Sequence, residues 1–144
     1  MSATADSSLI VALYLAEADS VRADAACASM PPPILLTDWH RVEIANAFQR
    51  AVKNGRVTAA QAAQLWQDFT ADVAAGRFQI IAVDHAAVLT RTLTLTQKHT
   101  ATTGTRSLDL IHIASALEMN ASDFLSFDNR QRQAANAEGL NVMP

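Results

Sequence analysis

Short apolar stretches alternate with longer segments of helical periodicity along this chain, and that alternation constrains the fold more than any other feature. By length and composition the short stretches are predicted strands, at residues 2–5, 34–36, 78–83, 124–126 and 140–142. Strands separated by helices form parallel sheets, since a parallel pair needs a long crossover connection. The pattern predicts an α/β fold with one parallel sheet of four to five strands and helices on both faces.

Helix-capping residues mark where the intervening helices begin. The segment 90–96 alternates Thr with larger residues, as a strand would, but its apolar residues also repeat at helical spacing, and a helix is favoured. Caps are predicted at Asp6, Asp19 or Ser20, Thr37 or Asp38, Thr58 (in a capping box with Gln61), Asp84 and Ser107. The predicted apolar face of the third helix consists of Val42, Ala45, Phe48 and Val52.

Length and composition indicate one globular domain spanning residues 1–144, with 50% hydrophobic and 17% charged residues. The net charge of −3 excludes nucleic-acid binding by bulk positive charge but leaves room for a local site. Cys27 is the single cysteine, so an intrachain disulfide and a cysteine-rich zinc site are both excluded. No signal peptide or membrane-spanning stretch is recognisable, which favours the cytoplasm.

Four acidic residues each stand beside a short apolar stretch: Asp6, Glu43, Asp109 and Asp128. Glu43 lies inside a predicted helix, and the other three occupy strand ends or helix starts. Each has an ordinary role open to it. Asp6 and Asp128 suit helix caps, Asp109 suits the first turn of a helix, and Glu43 suits a solvated helix face. The carboxyl ends of parallel strands share one edge, however, and carboxylates gathered there repel each other unless a cation lies between them. A metal ion held by carboxylates points to phosphoryl-transfer chemistry.

Four segments in succession resemble the motifs of PIN domains, in particular the VapC-type toxin ribonucleases of type II toxin–antitoxin systems. They are DSSLIVALYL, ExxNAFxR, RSLDLIHIASAL and FLSFDNRQRQAANAEGLNV. The resemblance covers nearly the whole chain, and the last two segments are the most specific. It implies a Rossmann-like, PIN-like sheet and a metal-dependent endoribonuclease that hydrolyses RNA phosphodiester bonds.

The resemblance also implies a role for each acid. Asp6 and Asp109 would bind Mg²⁺ or Mn²⁺ directly, whereas Glu43 and Asp128 would act through water or a second metal. Ser7 and Ser126 stand at supporting positions. The implied partners are an RNA substrate, with transfer and ribosomal RNA both open, a cognate antitoxin and a second copy in a homodimer. The candidate dimer faces are exposed apolar residues such as Val11 and Tyr14, or the Trp66 helix.

Several residues remain open between a structural and a functional role. Arg106, Arg130 and Arg132 flank two of the acids and either contact phosphate or belong to ordinary solvated surface. His112 lies three residues after Asp109 and is either a buried, hydrogen-bonded core residue or part of the site. Two other functions stay open: a non-catalytic binding module that keeps the fold, and a metal-dependent DNA nuclease or phosphatase. No Gly-rich phosphate-binding loop is present.

Overall fold

The computed structural model describes residues 1–144 and contains five strands and seven helices. Their order is β1 (Ala3–Ala5), α1 (Ser7–Val11), α2 (Ser20–Ala28), β2 (Ile34–Leu36), α3 (Asp38–Lys53), α4 (Ala59–Ala74), β3 (Phe78–Ile80), α5 (His85–Thr103), α6 (Ser107–Glu118), β4 (Asp123–Leu125), α7 (Asn129–Ala137) and β5 (Asn141–Met143). None of the helices is both long enough and apolar enough to cross a membrane.

All five strands lie in one parallel sheet in the order β3-β2-β1-β4-β5. The strand β1 is central, with Ala3 opposite Ile34 of β2 on one side and opposite Asp123 of β4 on the other. The chain first builds outward through β2 and β3, then returns to the other side of β1. This is the predicted PIN-like parallel α/β architecture, and its topological switch point lies beside β1.

Two apolar clusters form the core and separate the helices into two groups. One cluster joins α1, α2, α3 and α4 to the sheet and includes Ile10, Ile44 and Phe48. The other joins α5, α6 and α7 to it, with Leu110 and Phe124 among its buried members. Helices on both faces of the sheet are therefore confirmed, and β1 is a strand despite its small side chains because ladders on both sides fix it.

The third helix presents a different face to the core from the one predicted. Phe48 is buried as predicted, but Val42 is 67% exposed, and His40 and Ile44 are buried instead. At 100° per residue, Val42 and Ile44 point about 160° apart, so both cannot face the sheet. The correct stripe therefore passes through His40 and Ile44. This rotation leaves Glu43 half-buried at its border.

Other boundaries differ from prediction by a few residues. The strand β3 ends at Ile80 rather than residue 83, and β4 and β5 are shifted by one residue. The helix α6 begins at Ser107 itself, with Arg106 at the N-cap position and no side-chain cap bond, so Ser107 is not the cap. Segment 90–96 lies inside α5, and the Thr58–Gln61 capping box is present.

The first helix is shorter than its apolar spacing suggests, and this bears on the predicted dimer face. It ends at Val11, which is buried. Tyr14 is half-buried and donates its hydroxyl hydrogen bond to Asp72. Val11 therefore offers no exposed apolar surface for a second copy.

Candidate functional site

A pocket of about 590 Å³ opens at the carboxyl ends of the strands, beside the switch point. All four predicted acids line it: Asp6 follows β1, Glu43 lies on α3, Asp109 lies in the first turn of α6, and Asp128 follows β4. Ser7 also lines the pocket. The fold thus gathers the four predicted carboxylates from distant parts of the chain into one cavity, and a fifth carboxylate, that of Glu17, also lines it.

Asp6 combines a capping role with a place in the pocket. Its Oδ2 accepts hydrogen bonds from the backbone N–H of Ser8, at 3.1 Å, and from the Ser8 hydroxyl group. Its Oδ1 accepts a hydrogen bond from Nε2 of Gln131, at 3.1 Å. Asp6 as a whole is only 7% exposed, so these hydrogen bonds take the place of contacts with water.

Asp128 caps α7 in the same way. Its Oδ1 accepts from the backbone N–H groups of Arg130, at 2.8 Å, and Gln131, at 3.1 Å. Partial burial raises the pKa of Asp128, but these bonds and the Arg130 guanidinium outweigh burial, and the net effect lowers the pKa. Asp128 therefore carries its negative charge firmly.

Asp109 has the opposite electrostatic character. Burial raises the pKa of its carboxyl group, the negative charges of Asp6 and Asp128 raise it further, and nearby Arg106 compensates only in part. The closest approach of Arg106 to Asp109 is 3.5 Å. A carboxylate that is destabilised by its neighbours' charges gains most from a bound cation.

Glu43 is held by His112 rather than left to solvent. Nε2 of the buried His112 lies 2.6 Å from Oε1 of Glu43 and 3.2 Å from Oγ of Ser7. Burial lowers the pKa of His112, but the hydrogen bond to Glu43 and the charges of Asp6 and Glu43 outweigh burial and raise it. His112 is thus both a buried, hydrogen-bonded residue and a contact of the site.

This Ser7–His112–Glu43 group is not a serine-hydrolase triad. In such a triad the serine and the carboxylate bind opposite nitrogens of the imidazole ring. Here both partners bind Nε2, and the buried Nδ1 atom of His112 has no hydrogen-bond partner. The group therefore orients Glu43 and does not activate Ser7 as a nucleophile.

Two buried residues that the sequence analysis did not select, His40 and Gln131, support the site. Nδ1 of His40 accepts from the Thr37 backbone N–H at 2.9 Å, so its Nε2–H donates to the Ala5 carbonyl, 2.8 Å away. Burial, with His112 nearby, lowers the pKa of His40 well below its usual value. A signal was available, since His40 stands at the third position of the helix that Thr37 caps.

Gln131 is the second such residue, and it is completely buried. Its Nε2 donates to Asp6 and to the backbone carbonyl of Asp109, at 3.0 Å, while its Oε1 accepts from Ser126 Oγ at 2.6 Å. Ser126 is therefore buried beneath the pocket's acids rather than lining the pocket. A glutamine in a polar helix start gives no sequence signal for burial.

The predicted basic residues divide into two groups. Arg106 lines the pocket, but Arg130 and Arg132 do not. Arg130 is 3.4 Å from Asp128, and Arg132 donates to the Ser126 carbonyl at 2.8 Å. Arg50, which lies on α3 with Glu43, also lines the pocket.

The chemistry of the donor set fits a hard divalent cation. The four acids offer only oxygen, which suits Mg²⁺ or Mn²⁺ better than zinc. No three Asp, Glu, His or Cys side chains stand close enough together to form a ready-made metal cage. A cation here would therefore be held by one or two carboxylates and retained water, which is how Mg²⁺ commonly binds.

Comparison with known proteins relates the fold to two solved structures. A toxin–antitoxin complex from Klebsiella pneumoniae aligns with a TM-score of 0.67 at 17% identity, covering 99% of this chain and 97% of that one. FitAcB from Neisseria gonorrhoeae aligns with a TM-score of 0.70 at 15% identity, covering 99% and 96%. At these identities the likeness establishes the fold. No protein-family model and no curated protein matches the chain.

Proposed function

We propose that this protein is a metal-dependent endoribonuclease and the toxin of a type II toxin–antitoxin pair, acting in the cytoplasm. One observation carries the proposal: four carboxylates from four separate segments line a single pocket at the switch point of a parallel sheet. Gathering them costs electrostatic energy, as the raised pKa of Asp109 indicates. A bound cation is the simplest compensation for that cost.

In this proposal Asp6 and Asp109 bind Mg²⁺ or Mn²⁺ directly, and Glu43 and Asp128 act through water or a second ion. The cation, when bound, supplies polarisation of the phosphodiester and a lowered pKa for a coordinated water. The protein's part is orientation. Ser8 and Gln131 fix the Asp6 carboxylate, and His112 fixes Oε1 of Glu43, which leaves Glu43 Oε2 free to hold a water molecule.

The pocket rim offers groups for the RNA backbone. Arg50 and Arg106 bring positive charge to a cavity whose other charged groups are acidic, and guanidinium groups bind phosphate oxygens well. Transfer RNA and ribosomal RNA both remain open as the substrate. In such a pair, the protein forms a homodimer and binds a cognate antitoxin. The similar Klebsiella pneumoniae structure is a toxin–antitoxin complex, and this motivates the antitoxin partner.

A non-catalytic binding module with the same fold is the second candidate. The observation in its favour is the spacing of the acids, which do not already form a metal cage. Against it stands the electrostatic cost that a module without a cation would bear at Asp109. Binding of Mn²⁺ to the purified protein separates the two candidates, since only the nuclease requires it.

The direct test is cleavage of total transfer and ribosomal RNA by the purified protein with Mg²⁺, with Mn²⁺ and with EDTA. Asp109→Asn removes one proposed ligand, and Asp68→Asn on α4, outside the pocket, is the matched control. We expect discrete, metal-dependent cuts that Asp68→Asn keeps and Asp109→Asn loses. Full activity in Asp109→Asn would contradict the site, and preferential cleavage of competing DNA would point to a DNA nuclease.

A further inference from the structure

We propose that Gln131 is a positioning residue that fixes the Asp6 carboxylate and the first turn of α6 in the geometry that binds the cation. This inference rests on the proposed function but concerns a residue that carries no charge and does not line the pocket. Gln131 lies at the start of α7, 125 positions from Asp6. Its amide group makes three side-chain hydrogen bonds, each to a different segment of the chain.

The orientation of this amide follows from its partners. The Asp6 carboxylate and the Asp109 carbonyl only accept hydrogen bonds, so the NH₂ group must face both of them. On the other side, Ser126 Oγ accepts from the Asp128 backbone N–H at 3.1 Å, which leaves its own proton for Oε1 of Gln131. A flipped amide would turn its oxygen toward both acceptors and lose the bonds to Asp6 and Asp109, and the geometry therefore has one solution.

The same residue reaches three of the four acids. Its side chain donates to the Asp6 carboxylate and to the backbone carbonyl of Asp109, and its backbone N–H donates to the capping carboxylate of Asp128 at 3.1 Å. The ends of β1 and β4 and the start of α6 are thereby joined at one point. The remaining acid, Glu43, is oriented separately by His112.

The hydrogen bond from Gln131 to Asp6 has an electrostatic role in addition to the space that the side chain fills. Oδ1 of Asp6 is buried and accepts a hydrogen bond from Gln131. Ser8 donates to the other oxygen, Oδ2. A donor at Oδ1 stabilises the ionised carboxylate and holds its plane. Partners of this kind behind metal-binding carboxylates commonly change metal affinity by about 10- to 100-fold when removed.

Two substitutions separate positioning from space filling. Gln131→Met keeps the side chain's length and volume without any strong hydrogen bond. Gln131→Glu keeps the shape but turns an acceptor toward Asp6, so it adds repulsion. Ser126→Ala removes the hydrogen bond to Oε1 of Gln131 and the acceptor of the Asp128 backbone N–H, but leaves both Nε2 bonds possible, and we expect an intermediate effect.

The experiment measures Mn²⁺ affinity of the full chain by calorimetry, beside urea unfolding and RNA cleavage at several Mn²⁺ concentrations. The control is Thr92→Val, which alters a buried hydroxyl bonded within α5 to Val88, away from the pocket. We expect Gln131→Met to weaken Mn²⁺ binding at least about 10-fold and Gln131→Glu to weaken it more. Thr92→Val should leave Mn²⁺ affinity unchanged even where it lowers stability, and excess Mn²⁺ should restore cleavage to Gln131→Met.

The inference would be overturned if the Gln131→Met variant folds and binds Mn²⁺ with an affinity within about twofold of the wild type. It would also be overturned if the wild type binds no Mn²⁺. The proposed function fails separately. If the wild type binds Mn²⁺ but cuts no RNA, the proposed ribonuclease function is wrong. The Mn²⁺ affinity of the Gln131→Met variant would still decide the role of Gln131.

Discussion

Nε2 of His112 lies 2.6 Å from Oε1 of Glu43, so a buried ring on α6 holds a carboxylate on α3 across the acidic pocket. The two residues are 69 positions apart. The contact fixes one carboxylate oxygen and leaves the other toward the cavity. The contact also joins α3 and α6, which pack on opposite faces of the sheet, at the edge of the pocket.

We expect this pair to be strongly coupled. A double-mutant cycle with His112→Leu and Glu43→Gln should give a coupling energy of roughly 1 to 3 kcal/mol by urea unfolding, because one partner is fully desolvated. The Arg91–Glu118 pair has the same 2.6 Å separation, but neither partner is fully buried, since Arg91 is 45% and Glu118 25% exposed. Its coupling should stay below about 1 kcal/mol. Equal coupling in the two pairs would mean that burial of His112 adds nothing.

Two substitutions at the acids should change stability in opposite directions at neutral pH in EDTA. Asp109→Asn removes a charge that burial and Asp6 disfavour, and should raise the free energy of unfolding by roughly 1 kcal/mol. Asp128→Asn removes a charge that helix N–H groups favour, and should lower that free energy by about 0.3–1 kcal/mol. Urea unfolding measures both. A stability loss in Asp109→Asn would contradict the electrostatic picture of the pocket.

Glu138 gives a pH-dependent contribution away from the site. Burial opposes its ionisation, but hydrogen bonds from Lys98 and His99, each at 2.6 Å, outweigh burial and lower the pKa of Glu138. A carboxylate with a lowered folded-state pKa stabilises the fold above its unfolded pKa, near 4.3, and this contribution is lost as pH falls through the folded value.

The stability difference between the wild type and Glu138→Gln should therefore be largest at pH 6–7, at roughly 1 to 2 kcal/mol, and shrink progressively below about pH 4. Urea unfolding across this pH range measures it. Glu118→Gln, which loses a more exposed ion pair, serves as the control and should show a smaller difference. A difference for Glu138→Gln that grows toward acid pH would have the wrong sign.

Arg50 should contribute to RNA binding rather than to the chemical step. It lies seven residues after Glu43 on α3, about 10 Å along the helix axis, and lines the same pocket. Arg50→Ala should raise KM several-fold with kcat nearly unchanged, and should weaken the salt dependence of binding. Arg41→Ala is the control, since Arg41 pairs with Asp38 and does not line the pocket. A matching KM increase in Arg41→Ala would indicate only general charge attraction.

Local signals explain which parts of the fold were predictable. The caps at Asp6, Thr58 and Asp84 depend on residues within a few positions of each other, and the alternation of strands and helices was enough for a parallel sheet. The helix over 90–96 was also predicted, because its apolar spacing favoured the correct choice. The positions of Asp6, Asp109 and Asp128 at one sheet edge followed from the topology, whereas Glu43, inside α3, was indicated only by the family resemblance.

Contacts between distant residues explain what was missed. The amphipathic pattern of α3 contains two apolar stripes, and only packing against the sheet decides that Ile44 is buried and Val42 exposed. The polar supports behind the acids are buried by tertiary contacts: no local pattern marks Gln131, and for His40 the Thr37 cap indicates a helix-start role but not the contact with the Ala5 carbonyl. Sequence therefore located the carboxylates of the pocket but not the residues that hold them in place.

The most direct measurement of the central claim is Mn²⁺ binding to the wild type and to single variants of the four acids, followed by calorimetry in one buffer. Asp6→Asn and Asp109→Asn should abolish binding or weaken it at least about 10-fold, and Glu43→Gln and Asp128→Asn should weaken it less. Glu17→Gln, which alters another carboxylate lining the pocket, should bind like the wild type. A wild type without Mn²⁺ binding, or Asp6 and Asp109 variants with unchanged affinity, would contradict the account.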